Sequence, residues 1–188
     1  MIDLKPACAA MIELLTEITD AQLTLPTPCS KYRVEDLLVH LDEVVRGSAA
    51  LARKEQEPVA SAAVPGPAVL AERVQLLGVA WDDPAAWQGA TPAGSLELAN
   101  ELWARIAFTE IVVHGWDLAR ALDRPFILPD HTLRACLDHV AEFIPNSPVP
   151  ELWSPAVPTP GDAPLIDRIV AITGRNPRWT AESPENVE

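Results

Sequence analysis

Two histidines and one glutamate, His40, Glu110 and His114, are the side chains of this sequence best suited to hold a metal ion. Glu110 and His114 stand four apart in T-E-I-V-V-H-G-W-D-L-A-R-A at 109–121, so on a helix they lie one above the other. Asp117, three residues on, shares that face with Trp103, Ile106 and Ala107, which marks it as inward-facing. An inward carboxylate without a partner is costly. A divalent metal would answer that cost, because carboxylate oxygen and imidazole nitrogen both suit zinc and its neighbours. A glutamate and a histidine one turn apart can equally hydrogen-bond each other or cap a loop. His40, in D-L-L-V-H-L at 36–41, is drawn inward by Leu37, Leu38 and Leu41. A lone histidine on an apolar face is ordinarily a satisfied core residue. With Glu110 and His114, however, it makes a set of three ligands with one position left open, the catalytic rather than the structural arrangement.

Several neighbours carry two readings each. Asp117 either accepts the second N–H of a ligand histidine, orienting its ring, or pairs with Arg105 or Arg120 on the helix surface. Asp36, one turn before His40, either bonds that ring or occupies a favourable first-turn position. Cys29 precedes the His40 helix and could meet metal or substrate, but free cysteines are so often buried that packing is the better expectation. Trp103 and Trp116 read as core or pocket wall. His131 and His139 read as surface or rim residues. No residue is singled out as catalytic or as binding a cofactor other than the metal.

The elements that must position these groups are helices. Apolar residues recur at spacings of three and four from Asp3, an expected N-cap, to about Leu23. Further helices are expected at about 33–54, 68–81, 96–122 and 130–144, the last with Asp130 as N-cap. A short one at 165–173 ends at Gly174. Pro58 to Pro67 reads as a loop, 82–95 as a Pro- and Gly-rich stretch that could hold a short strand pair, and 145–164 as a proline-dense segment. Five longish helices with short connections define an all-α bundle. The expected division is a metal-binding bundle over 1–148 and a C-terminal extension over 149–188, packed on it and ending in the short helix.

Composition narrows the partners. With 14 Lys+Arg against 27 Asp+Glu the net charge is −13, and no basic tract interrupts it. Such a surface repels nucleic acid and anionic membranes, whose binding rests on phosphate neutralisation. No stretch reaches the ~18 apolar residues of a spanning helix, and Met1 to Lys5 lacks the basic start of a secretory leader. Cys8, Cys29 and Cys136 are odd in number and widely spaced, which disfavours a disulfide framework and fits a reducing cytoplasm. A small molecule is the expected partner, and a homodimer through bundle faces is compatible with the pattern. No Ser-His-Asp order, Gly-rich phosphate loop or C-x-x-C pair suggests another chemistry.

T-P-C-S-K-Y-R-V-E-D-L-L-V-H-L at 27–41 and T-E-I-V-V-H-G-W-D-L-A-R-A at 109–121 together resemble the metal-binding family related to the N-terminal domain of mycothiol-dependent maleylpyruvate isomerase. P-L-I-D-R-I-V-A-I-T-G-R-N-P-R-W at 164–179 is similar to the tail of a short actinobacterial-type branch of it. The resemblance implies a DinB/YfiT-like four-helix bundle with an additional helix and a Pro-rich extension. It implies Zn2+, or another divalent ion such as Ni2+, held by His40, Glu110 and His114. It also implies mycothiol as co-substrate in a thiol transfer or thiol-assisted isomerisation of a small molecule. Tyr32 stands where that family often has Trp. Only about 40 residues follow Pro148, against a whole second domain in the isomerase, so a different substrate is expected. The alternative is a non-catalytic metal-binding bundle with a structural or sensing role.

Overall fold

The repeating leucines and valines of this chain build helices whose apolar stripes face one another. The computed structural model describes residues 1–56, 63–94, 96–147 and 153–182. In order, it shows α1 (Lys5–Thr16), a 3-10 turn (Asp20–Gln22), α2 (Val34–Arg53), α3 (Pro67–Ala80) and a second 3-10 turn (Pro84–Trp87). A hairpin of β1 (Ala90–Ala93) and β2 (Leu96–Ala99) leads into α4 (Asn100–Ala121). Then come α5 (Asp130–Phe143), a 3-10 turn (Ile144–Asn146) and α6 (Leu165–Ile172). The domain is therefore mostly helical. Helices α1 and α2 each pack on both α3 and α4, while α5 packs on α4 and carries α6. Among the described residues no helix is long and apolar enough to cross a membrane.

The core runs through these contacts. Met11, Leu15, Leu37, Leu38, Leu41, Val74, Leu77, Phe108 and Ile111 are all fully buried in one cluster. Burying a leucine or isoleucine side chain contributes roughly 1.5–3 kcal/mol, so this cluster is what fixes α2 against α4, the two helices that carry the candidate ligands. A smaller cluster of Trp116, Val170 and Trp179 joins α4 to α6 and the residues after it. Trp103 donates its indole N–H to the carbonyl of Thr91 at 2.9 Å. Both tryptophans thus serve packing rather than a pocket wall.

Two helix ends differ from the sequence expectation. Helix α1 stops at Thr16 rather than near Leu23 because Thr19 starts a new turn, its amide donating to Gln22 Oε1 at 3.0 Å. Helix α4 starts at Asn100 rather than Leu96. Residues 96–99 alternate in burial and pair antiparallel with 90–93, from Ala90 opposite Ala99 to Ala93 opposite Leu96. The fully buried Asn100 then pins the start of the helix. Its amide group donates to the carbonyls of Ala86 and Gln88, and its Oδ1 accepts from Thr91. The expected N-caps are each displaced by one residue, to Leu4 and Pro129, although Asp3 still accepts from the amide of Lys5 at 2.9 Å. Residues 58–62 of the loop expected at 58–67, and the proposed boundary at 148/149, lie outside the described residues.

Candidate metal centre

His40 and Glu110 face each other because α2 and α4 pack side by side. His40 Nε2 lies 3.2 Å from Glu110 Oε2, across a gap of 70 residues in sequence. His114, one turn after Glu110, brings its own Nε2 to 3.1 Å from the same oxygen. The three ligand atoms all lie within 4.8 Å of one another. A metal with bonds of 2.0–2.1 Å in tetrahedral geometry holds neighbouring ligand atoms about 3.3 Å apart. The two contacts at Glu110 already match that spacing, and the donor types suit a divalent ion.

The rings are held from behind. His114 is 4 % exposed, and its Nδ1 lies 2.9 Å from Asp117 Oδ2. An ionised carboxylate only accepts, so Nδ1 carries a proton towards Asp117, and Nε2 faces Glu110, where it would be the atom to coordinate an ion. His40 stacks on Tyr32, with ring centroids 5.0 Å apart and planes 24° apart. The aromatic residue ahead of α2 therefore works as a back wall for the ligand ring. Asp36 does not reach His40. Its Oδ2 accepts from the amide of Arg33 at 2.9 Å, so it caps the first turn of α2.

Asp117 itself is fully buried and meets neither Arg105 nor Arg120 as its partner. Instead Arg175, just past α6, reaches it with two bonds: Nη2 to Oδ2 at 3.0 Å and Nε to Oδ1 at 3.3 Å. Arg105 pairs with exposed Glu101, and Arg120 donates to the carbonyl of Trp179 and lies over the ring of Trp116. Sequence reasoning missed Arg175. The available signal was a buried charge in need of a partner, but the pair spans 58 residues and leaves no periodic trace.

The electrostatics follow from this geometry. Burial pushes the Glu110 carboxyl up, but the imidazoles of His114 and His40 outweigh it and hold the group below the usual carboxylate range. Burial likewise disfavours ionised Asp117 and is outweighed by Arg175 and His114. For His114 burial favours the neutral ring, and the two carboxylates beside it reverse that preference. With no cation present, Glu110 is satisfied only if the facing Nε2 atoms carry protons. A divalent ion at the same point would replace those protons.

One side of the cluster is open. Pro28, Cys29, Tyr32, Trp153, Ser154 and Arg175 are among the further residues lining a cavity of about 110 Å³ around His40, Glu110 and His114. Cys29 is thus a cavity residue and not a packed one. Burial raises its thiol pKa despite the opposing Arg175. No disulfide joins the three cysteines, and burial pushes Cys8 and Cys136 up to about 12. His131 is exposed, as its place suggested. His139 is not a surface residue: it is 5 % exposed on the buried stripe of α5 with Cys136 and Val140, stacked on Phe143 at 5.0 Å.

A mostly helical domain with an inward His/Glu/His cluster at one open cavity defines the class, and comparison with known proteins names the family. The family model described as the mycothiol maleylpyruvate isomerase N-terminal domain matches residues 4–119, and the chain belongs to that family. Two uncharacterised proteins of Mycobacterium tuberculosis, from strains CDC 1551 / Oshkosh and H37Rv, are each 28 % identical over 174 residues, covering 90 % of this chain and 93 % of theirs. No solved structure matches.

Proposed function

We propose that this protein binds one divalent ion, zinc or a neighbour such as nickel, through His40 Nε2, Glu110 and His114 Nε2. The reaction proposed is transfer or isomerisation of a small molecule with the help of a low-molecular-weight thiol. One observation carries this reading: three good ligand atoms converge on the wall of a cavity that leaves their fourth side open. A bound divalent ion there would lower the pKa of a coordinated thiol and make thiolate available at neutral pH. The family name points to mycothiol as that thiol.

The chain's own residues have separable tasks in this scheme. Glu110 supplies the negative charge and the two imidazoles supply neutral donors. Asp117 keeps the His114 proton on Nδ1, and Tyr32 holds the plane of His40. Cys29 lines the same cavity beside these groups. The same reading makes α1–α4 a four-helix bundle of the DinB/YfiT type, with the residues after 148 as an extension that closes the cavity. It places the protein in the reducing cytoplasm, with a small molecule and not nucleic acid or membrane as partner.

The test has two stages. Purified protein carries about one divalent ion per chain by elemental analysis, and His40→Ala, Glu110→Ala and His114→Ala each lose it. The loaded protein then gives a heat of binding with mycothiol or a close analogue, which the metal-free protein does not. Absence of the ion from the unmodified protein after incubation with zinc would overturn the site. Metal without thiol binding, together with a large thermal destabilisation on chelation, would support instead a structural or sensing role.

A further inference from the structure

We propose that Arg175 is a positioning residue for the metal centre, acting through Asp117 on His114. The inference rests on the metal reading above and assigns a role to a segment outside the matched residues 4–119. Three observations carry it.

The first is the way Arg175 is aimed. Helix α6 ends in the turn that commonly stops helices: the amide of Gly174 donates to the carbonyl of Ala171 at 3.1 Å, and that of Arg175 to Val170 at 2.9 Å. This requires a left-handed residue at 174, and Gly174 has φ of +84°. A Cβ there would also run into Ser154, so the turn and the cavity-lining strap at 153–154 are in direct contact. The chain direction after α6 is therefore fixed, and it sends residue 175 back towards α4.

The second is how the guanidinium is used. Nε and Nη2 form a two-pronged contact with Asp117, and Nη1 donates to the carbonyl of Thr173 at 2.9 Å. The planar fork, the feature that sets Arg apart from Lys, is spent on Asp117. Arg175 is 7 % exposed and Asp117 is fully buried, so neither has bulk water as an alternative partner.

The third is continuity. The same Asp117 oxygen that accepts from Arg175 Nη2 accepts from His114 Nδ1 at 2.9 Å. The guanidinium fixes the carboxylate, the carboxylate fixes the ring and its tautomer, and the ring presents Nε2 to Glu110 and the cavity. Outer partners of this kind, when removed, typically weaken metal binding 10–100-fold.

The experiment measures affinity for Co2+ by competition with a chelator, and the visible absorption of the cobalt form, in full-length unmodified protein, Arg175→Met, Arg175→Lys, Asp117→Asn and the Arg175→Met/Asp117→Asn double variant. Circular dichroism confirms that each is folded. The expected result is a 10–100-fold loss for Arg175→Met with an altered cobalt spectrum, and a smaller loss for Arg175→Lys. The double variant should lose no more than Asp117→Asn alone, because the two residues act in series. Cobalt binding by Arg175→Met at unmodified affinity, or penalties that multiply in the double variant, would overturn the proposal. If Arg175→Met does not fold, Arg175→Lys against Asp117→Asn decides by the same criteria. Failure of the unmodified protein to bind cobalt would instead overturn the metal reading itself.

Discussion

His114 and His139 are buried to nearly the same depth, at 4 % and 5 % exposed, on neighbouring helices, yet their surroundings treat the imidazole in opposite ways. Around His114 two carboxylates approach both ring nitrogens, and the ring holds its proton more tightly than a free imidazole. Around His139 no group among the described residues hydrogen-bonds Nε2, and burial with Arg105 nearby depresses its pKa to about 4. It lines a groove between α4 and α5 with Glu101, Arg105 and Glu142, none of which engages that nitrogen. The contrast teaches that burial of a histidine does not make a site. Carboxylates converging on it do, because they lower the cost of a positive charge, whether proton or metal ion.

The largest expected effect comes from removing that positive charge. Chelation of zinc-loaded protein should lower the melting temperature. At a thousandfold excess of free metal over Kd the lost stabilisation is about 4 kcal/mol, roughly 8–16 °C for a domain of this size. Differential scanning calorimetry checks this, and His139→Leu should leave the chelation shift intact while His114→Leu abolishes it.

Next is the response to acid. The His139 pKa is lower in the folded than in the unfolded state, so the unfolded chain takes up more protons between the two values. Stability is intact above 6.5, falls as pH drops from 6.5 towards 4, and loses up to about 3 kcal/mol from this group. Urea unfolding of unmodified protein and His139→Leu across that range should show the loss largely removed in the variant. Equal slopes would mean that some other group is responsible.

A single substitution at both positions sharpens the comparison at pH 7. His114→Leu strips Glu110 and Asp117 of a shared donor and should cost about 1.5–3 kcal/mol, the range for hydrogen bonds to charged groups. His139→Leu removes an unpartnered polar atom from an apolar stripe and should be neutral or stabilising by about 1 kcal/mol. Smallest of all is the exposed Arg105–Glu101 pair beside the groove: Glu101→Gln should change stability by less than about 0.5 kcal/mol. Equilibrium denaturation resolves the first two and should find no difference for the third.

Much of this was legible from residue spacing. Helices α2, α3 and α5 fall within a residue or so of expectation because their apolar residues recur at three and four without competition. The start of α4 was not legible, since Leu96 to Ala99 also alternates at the period of a strand and only the pairing with 90–93 decides it. His40, Glu110 and His114 could be picked out because each sits among residues that must face inward. Arg175 could not, because it reaches the cavity through the chain reversal after α6, and neither could Trp153 and Ser154, which reach it from irregular chain before α6 where no periodicity operates. The rotation of α5 hid His139: the stripe Thr132, Cys136, His139, Val140 is apolar enough to carry one imidazole inside.

The central claim is tested most directly by anomalous X-ray diffraction at the zinc absorption edge on crystals of the zinc-soaked protein. A single peak is predicted 2.0–2.2 Å from His40 Nε2, His114 Nε2 and a Glu110 oxygen, the distances typical of zinc, with its remaining side towards the cavity. A peak at His139, His131 or a cysteine in its place, or no peak between α2 and α4, would contradict it.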